Sequence, residues 1–60
     1  MKEYTKGDRI GLNTGETVEV ETHSTVGPVY RRDRLYSFRY QPELRLTGRE
    51  IELNLQLQHQ

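Results

Sequence analysis

The residues best placed to do chemistry lie in one stretch, YRRDRLYSFRY, from Tyr30 to Tyr40. It interleaves Arg31, Arg32, Arg34 and Arg39 with Tyr30, Tyr36, Phe38 and Tyr40. Guanidinium groups take phosphates or carboxylates, and aromatic rings stack on bases at roughly 1 to 3 kcal/mol each. The same residue types dominate the energetics of protein interfaces. If the stretch is a single strand, Tyr36, Phe38 and Tyr40 share one face, and such a platform suits single-stranded nucleic acid.

A quieter account has equal physical standing. Residues 31 to 39 carry four arginines and one aspartate, net +3, and Glu16 to Thr22 carry three glutamates, net −3. Laid side by side as strands, the two segments pair their charges on the solvent face and turn Phe38 and the tyrosines inward. A chain that is only 32% hydrophobic and has no tryptophan can hardly leave four aromatics outside, and this favours the core arrangement.

Nothing else in the chain suggests catalysis or a metal. His23 and His59 are far apart, and neighbouring His23 and Ser24 point to opposite sides of an extended segment, so no nucleophile and base are arranged. There is no cysteine and no histidine pair at ligand spacing. The five glycines are spread as turn punctuation, without the clustering before a helix that cradles phosphate. No catalytic residue, metal or cofactor is implied.

The elements that hold the Arg/Tyr stretch read as β. Order is expected from Gly7, after a flexible lead-in over residues 1 to 6, with residues 7 to 60 forming a single small domain. Ile10 and Leu12 share a face, NTGE supplies a turn, and TVEVET alternates with Val18 and Val20 on one side. Gly27-Pro28 is a turn signal, Asp33 a turn or bulge point, and Gln41-Pro42-Glu43 closes the aromatic segment. Leu44 and Leu46 follow on one face, with a turn at Gly48. TGETVEV (14–20) is echoed by TGREIEL (47–53), each a turn leading into a strand.

The C-terminal segment IELNLQLQ alternates without a break. Propensity favours a helix from residue 49, but on a helix Ile51 and Leu55 fall nearly opposite Leu53 and Leu57. As a strand over 50–58 all four share one face. The predicted fold is therefore all-β: a small antiparallel barrel or curled sheet of four to five short strands, SH3-like or OB-like. The opening KGDRI resembles the first strand of SH3-like barrels found in translation and transcription factors, and no functional residue is carried over from that likeness.

Sixty residues bury only about 60% of their unfolded surface. With no disulfide to help, the expected source of further stability is a homodimer through Ile51, Leu53, Leu55 and Leu57. Nine basic and nine acidic residues cancel, so no overall field draws the chain to nucleic acid or membrane. No apolar run spans a bilayer, and no signal peptide is evident, so the chain reads as cytoplasmic. The functional expectation is a non-enzymatic binding or regulatory module, of a size that suits a bacterial or phage regulator or inhibitor. It would contact a protein partner through Tyr30, Arg31, Arg32, Arg34, Tyr36, Arg39 and Tyr40. Single-stranded nucleic acid on the same surface is the alternative.

Overall fold

A computed structural model describes residues 3–58, so the expectation for His59 lies outside the described residues. Two features of the sequence set the architecture: a run of β-compatible residues broken by tight turns, and a capped C-terminal helix. Four strands, β1 (Arg9–Gly11), β2 (Thr17–Val26), β3 (Asp33–Arg39) and β4 (Gln41–Thr47), form one antiparallel sheet in sequence order. A single turn of 3-10 helix, Val29–Arg31, joins β2 to β3, and α1 (Gly48–Leu57) follows β4 directly. The sheet is open and does not close into the barrel that the strand count suggested.

The alternation in TVEVET puts Val18 and Val20 inward, opposite Ile10 and Phe38 respectively. β2 then continues through THSTV, where the hydrophobic pattern fails. A bulge between Val20 and Thr22 inserts a residue opposite β3, after which His23 stands across from Tyr36. One extra residue reverses the alternation and bends the strand, so β2 persists without apolar alternation to mark it. Pro42 does not end the aromatic segment either. It sits inside β4, on the edge of the sheet, where proline costs no ladder bond.

The largest departure is at the C-terminus, where the expected strand 50–58 is a helix. Thr47 is its N-cap: the Glu50 amide donates to Thr47 Oγ1 (3.2 Å), and the Thr47 amide donates to Glu50 Oε1 (2.9 Å). This reciprocal capping box satisfies two of the amides that a helix start leaves open. Asp33 adds a third bond, its Oδ2 accepting from the Arg49 amide at 3.1 Å. The echo at Thr14-Gly15 has Thr17 where the second copy has Glu50. That difference separates a turn into a strand from a turn into a helix.

On the helix Ile51 and Leu55 lie one turn apart and face the sheet. Ile51 is fully buried and Leu55 packs against the core, while Leu53 and Leu57 remain about half exposed. Helix geometry thus removes Ile51 from the proposed self-association stripe and splits the remaining leucines between two faces. The far end of α1 is tied to the β1–β2 corner. Asn54 Oδ1 accepts from the Asn13 amide (3.3 Å), and the Gln58 side-chain amide donates to the Gly11 carbonyl. α1 therefore crosses the sheet diagonally, from the end of β4 to the end of β1.

The rest of that face is covered by the lead-in, which supplies a core residue. Tyr4 is buried and meets the Tyr36 ring edge-on, with centroids 5.5 Å apart, and its amide donates to the Tyr36 hydroxyl at 3.1 Å. The core is thus Tyr4, Ile10, Val18, Val20, Tyr36, Phe38 and Ile51, flanked by Leu12, Leu44, Leu46 and Leu55. Among the described residues no helix is long and apolar enough to cross a membrane.

Two outcomes follow. Ile51→Ala should cost about 2 to 5 kcal/mol by chemical denaturation, and Leu53→Ala well under half of that; equal losses would indicate a shared buried face. Burial, with Glu52, Tyr36 and Asp8 adding, raises the Tyr4 pKa above the usual tyrosine value. The phenol then ionises more readily in the unfolded chain. Stability that is intact below about pH 10 is lost as the pH rises through the folded value. Tyr4→Phe should flatten the alkaline fall in melting temperature relative to wild type, and parallel curves would count against this.

Candidate functional site

β3 separates the Arg/Tyr stretch into three environments. In its middle, Tyr36 and Phe38 are 1% and 2% exposed. They belong to the core, and Tyr36 is withdrawn from the surface the sequence suggested. The charges there are largely engaged: Arg39 Nη1 lies 3.6 Å from Glu19 Oε2, and Arg9 Nε lies 3.8 Å from Glu19 Oε1. The acidic strand does lie beside the basic one, as charge pairing predicts, with Glu19 directly across from Arg39. Arg34 turns to Glu3, at 3.3 Å. Exposed pairs of this kind contribute about 0 to 1 kcal/mol each, so register rests on the buried face and the turns.

At the far end of β3, Tyr40 is 84% exposed with φ 69°. Phe38 pairs with Gln41, so Arg39 and Tyr40 are the two central residues of a hairpin turn. The second of these positions needs positive φ and is normally glycine or asparagine. A bulky residue in the left-handed region costs about 1 to 2 kcal/mol. Burial does not offset that cost here, and the Arg39 guanidinium, 5.0 Å from the ring centroid, returns about 0.5 to 1 kcal/mol at an exposed site.

At the near end lies the loop Gly27–Arg32. Gly27 has φ 92°, and a β-carbon there would come within 2.6 Å of the Arg31 carbonyl oxygen, so only glycine fits. The Arg31 amide donates to the Pro28 carbonyl at 2.8 Å. Val29 and Tyr30 stand out on this turn at 81% and 84% exposed, flanked by exposed Arg31 and Arg32. Behind them a groove runs between the loop and the start of α1, and Arg49 lines it beside Thr47 and Asp33.

The electrostatics of this groove follow from Asp33. Its carboxylate accepts from the Arg34 amide (2.7 Å) and the Arg49 amide (3.1 Å), so its charge is directed into the backbone. No salt bridge engages Arg31, Arg32 or Arg49 among the described residues. The groove therefore presents three cations around an apolar tip. Arg49 is the residue that sequence reasoning missed. It sits 17 positions beyond Arg32, and only the close of β4 onto Asp33 brings the two segments together. His23 is exposed and tilts toward the Tyr36 ring at 5.9 Å.

By fold and surface this is a small open β-meander closed by one helix, with exposed tyrosines at the two ends of its third strand. No protein-family model, curated protein or solved structure matches the chain.

The strained turn gives a direct check. Tyr40→Asn should raise stability by roughly 0.5 kcal/mol, since asparagine tolerates positive φ and the lost ring contact offsets part of the gain. A lower melting temperature for this variant would show that the Tyr40 ring contributes more to folding than its exposure implies.

Proposed function

We propose that the protein is a non-enzymatic binding module that grips an acidic partner protein through the Val29–Arg32 loop and the Arg49 groove. One observation carries this reading: two apolar side chains, Val29 and Tyr30, are more than 80% exposed on a turn whose backbone is already fixed. Ordering an interface loop costs binding energy, and a preformed loop avoids that cost. Tyrosine and arginine are enriched among residues that dominate binding energy. Three cations around such a tip suit a surface offering carboxylates beside an apolar recess, where charge complementarity steers encounter and orientation.

The alternative ligand, single-stranded nucleic acid, has less to support it. A stacking platform needs neighbouring rings, but Tyr36 and Phe38 are core, and the exposed Tyr30 and Tyr40 flank a strand of seven residues. At about 3.4 Å per residue, that sets them roughly 24 Å apart along the sheet.

Affinity capture from the native host is the experiment, with wild type, a Tyr30→Ala/Arg32→Glu double variant and Tyr40→Ala compared at equal folded concentration. The double variant should lose the captured partner by at least about ten-fold, the scale of one or two dominant contacts, and Tyr40→Ala should retain it. Equal capture by all three would contradict the proposal. A salt-sensitive mobility shift of labelled single-stranded oligonucleotides, abolished by the double variant, would favour the alternative.

A further inference from the structure

The edges of this sheet are not equally protected. β4 carries Pro42, Glu43 and Arg45, and proline and charge are the usual means of keeping an edge strand from pairing. On the other side β1 is only three residues long, and Gly7 and Asp8 extend its cover as far as Val20. The Gly7 amide donates to the Val20 carbonyl (2.9 Å), and the Val20 amide donates to the Asp8 carbonyl (2.8 Å). Beyond that point β2 runs on to Val26 with β3 as its one strand neighbour. Among the described residues, no backbone–backbone hydrogen bond outside the β2–β3 ladder engages Glu21–Val26, and the Ser37 hydroxyl that donates to the Thr22 carbonyl (3.3 Å) comes from β3 itself.

This overhang reads ETHSTV, and from Thr22 to Val26 it has no proline, no acidic residue and no lysine or arginine. Thr22 to Thr25 are all exposed. Threonine and valine suit strands, and an extended, uncharged, open edge is a template for another strand.

We infer that Thr22–Val26 is a self-association edge, on which two copies of the chain pair antiparallel about a two-fold axis at Ser24. Two four-stranded sheets then join into one of eight strands. Antiparallel pairing of a strand with its own copy is the arrangement a two-fold axis generates. In this register Ser24 meets Ser24, His23 meets Thr25 and Thr22 meets Val26, so no like charges stand opposite each other.

Charge complementarity also selects a second copy as the occupant. One residue further along, Glu21 falls opposite the copy's Gly27. The Arg31 carbonyl lies against Gly27 within each chain, so pairing carries the copy's Arg31 toward Glu21. Both residues are exposed, and neither joins a salt bridge among the described residues. The two-fold axis makes this contact twice. The inference shares Arg31 with the loop reading but needs neither Tyr30 nor Arg32, so the two fail separately.

Sedimentation equilibrium of the full chain from about 1 µM to about 1 mM, the range of weak specific complexes, tests it. Wild type should show a monomer–dimer equilibrium. Ser24→Lys, which sets two like charges at the axis, should weaken association at least ten-fold while the melting curve of the monomer stays unchanged. Glu21→Arg should also weaken it, and the Glu21→Arg/Arg31→Glu swap should restore it to within about three-fold. Tyr30→Ala/Arg32→Glu should leave the dimer intact, which separates this inference from the loop reading. A wild type that is monomeric throughout, a dimer indifferent to Ser24→Lys, or one lost instead with Leu53→Lys would overturn it.

Discussion

The contact on which the structure depends is Ile51 against the inner face of the sheet. With so few apolar side chains, the chain can cover one face of four strands and no more. Ile10, Val18, Val20, Tyr36 and Phe38 form that face, and α1 with Tyr4 forms its lid. Remove the helix and Ile51 and Leu55 leave the inner face, so the apolar side chains they cover return to water and the burial that drives folding is lost. The capping box at Thr47 and Glu50 matters for the same reason. It starts a ten-residue helix, too short to persist on its own propensity, at the corner from which Ile51 reaches the sheet.

The proposed contact surface is a consequence of that closure. Asp33 opens β3 and holds the first turn of α1 through the Arg49 amide. The carboxylate nearest the loop is thereby drawn into the fold, and Arg49 is brought to line one groove with Arg31 and Arg32. The Gly27 turn keeps Val29 and Tyr30 outward. Fold stability and surface chemistry are thus linked at one aspartate, whereas Tyr40, at the opposite end of β3, is held by its own strained turn.

Much of this was legible in the chain. The Val18/Val20 alternation, the Gly27-Pro28 turn and the charge match between segments 16–22 and 31–39 follow from pattern and composition, and the structure realises the last at Glu19 and Arg39. THSTV was not legible as strand because Val26 is its one apolar residue, and the bulge between Val20 and Thr22 shifts the phase ahead of it. The C-terminus was misread because period two is satisfied by IELNLQLQ as a string, while the deciding signal was the Thr47 to Glu50 spacing ahead of it. On the helix, Ile51 and Leu55 are the pair that matters, and the other two leucines are bystanders to the core. The split of the tyrosines could not be read locally either: Tyr36 is inside because it shares the covered face of β3 with Phe38, and Tyr40 is outside because a two-residue turn falls there. The Arg49 groove joins segments that meet only when β4 closes onto Asp33.

Backbone chemical shifts with amide hydrogen exchange over residues 48 to 57 test the closure of the sheet by α1 most directly. The account predicts helical shifts from Gly48 through Leu57, with the slowest exchange in the helix centred on Ile51 and Leu55. Extended-strand shifts across the same residues, or exchange as fast as in an unstructured peptide, would contradict it.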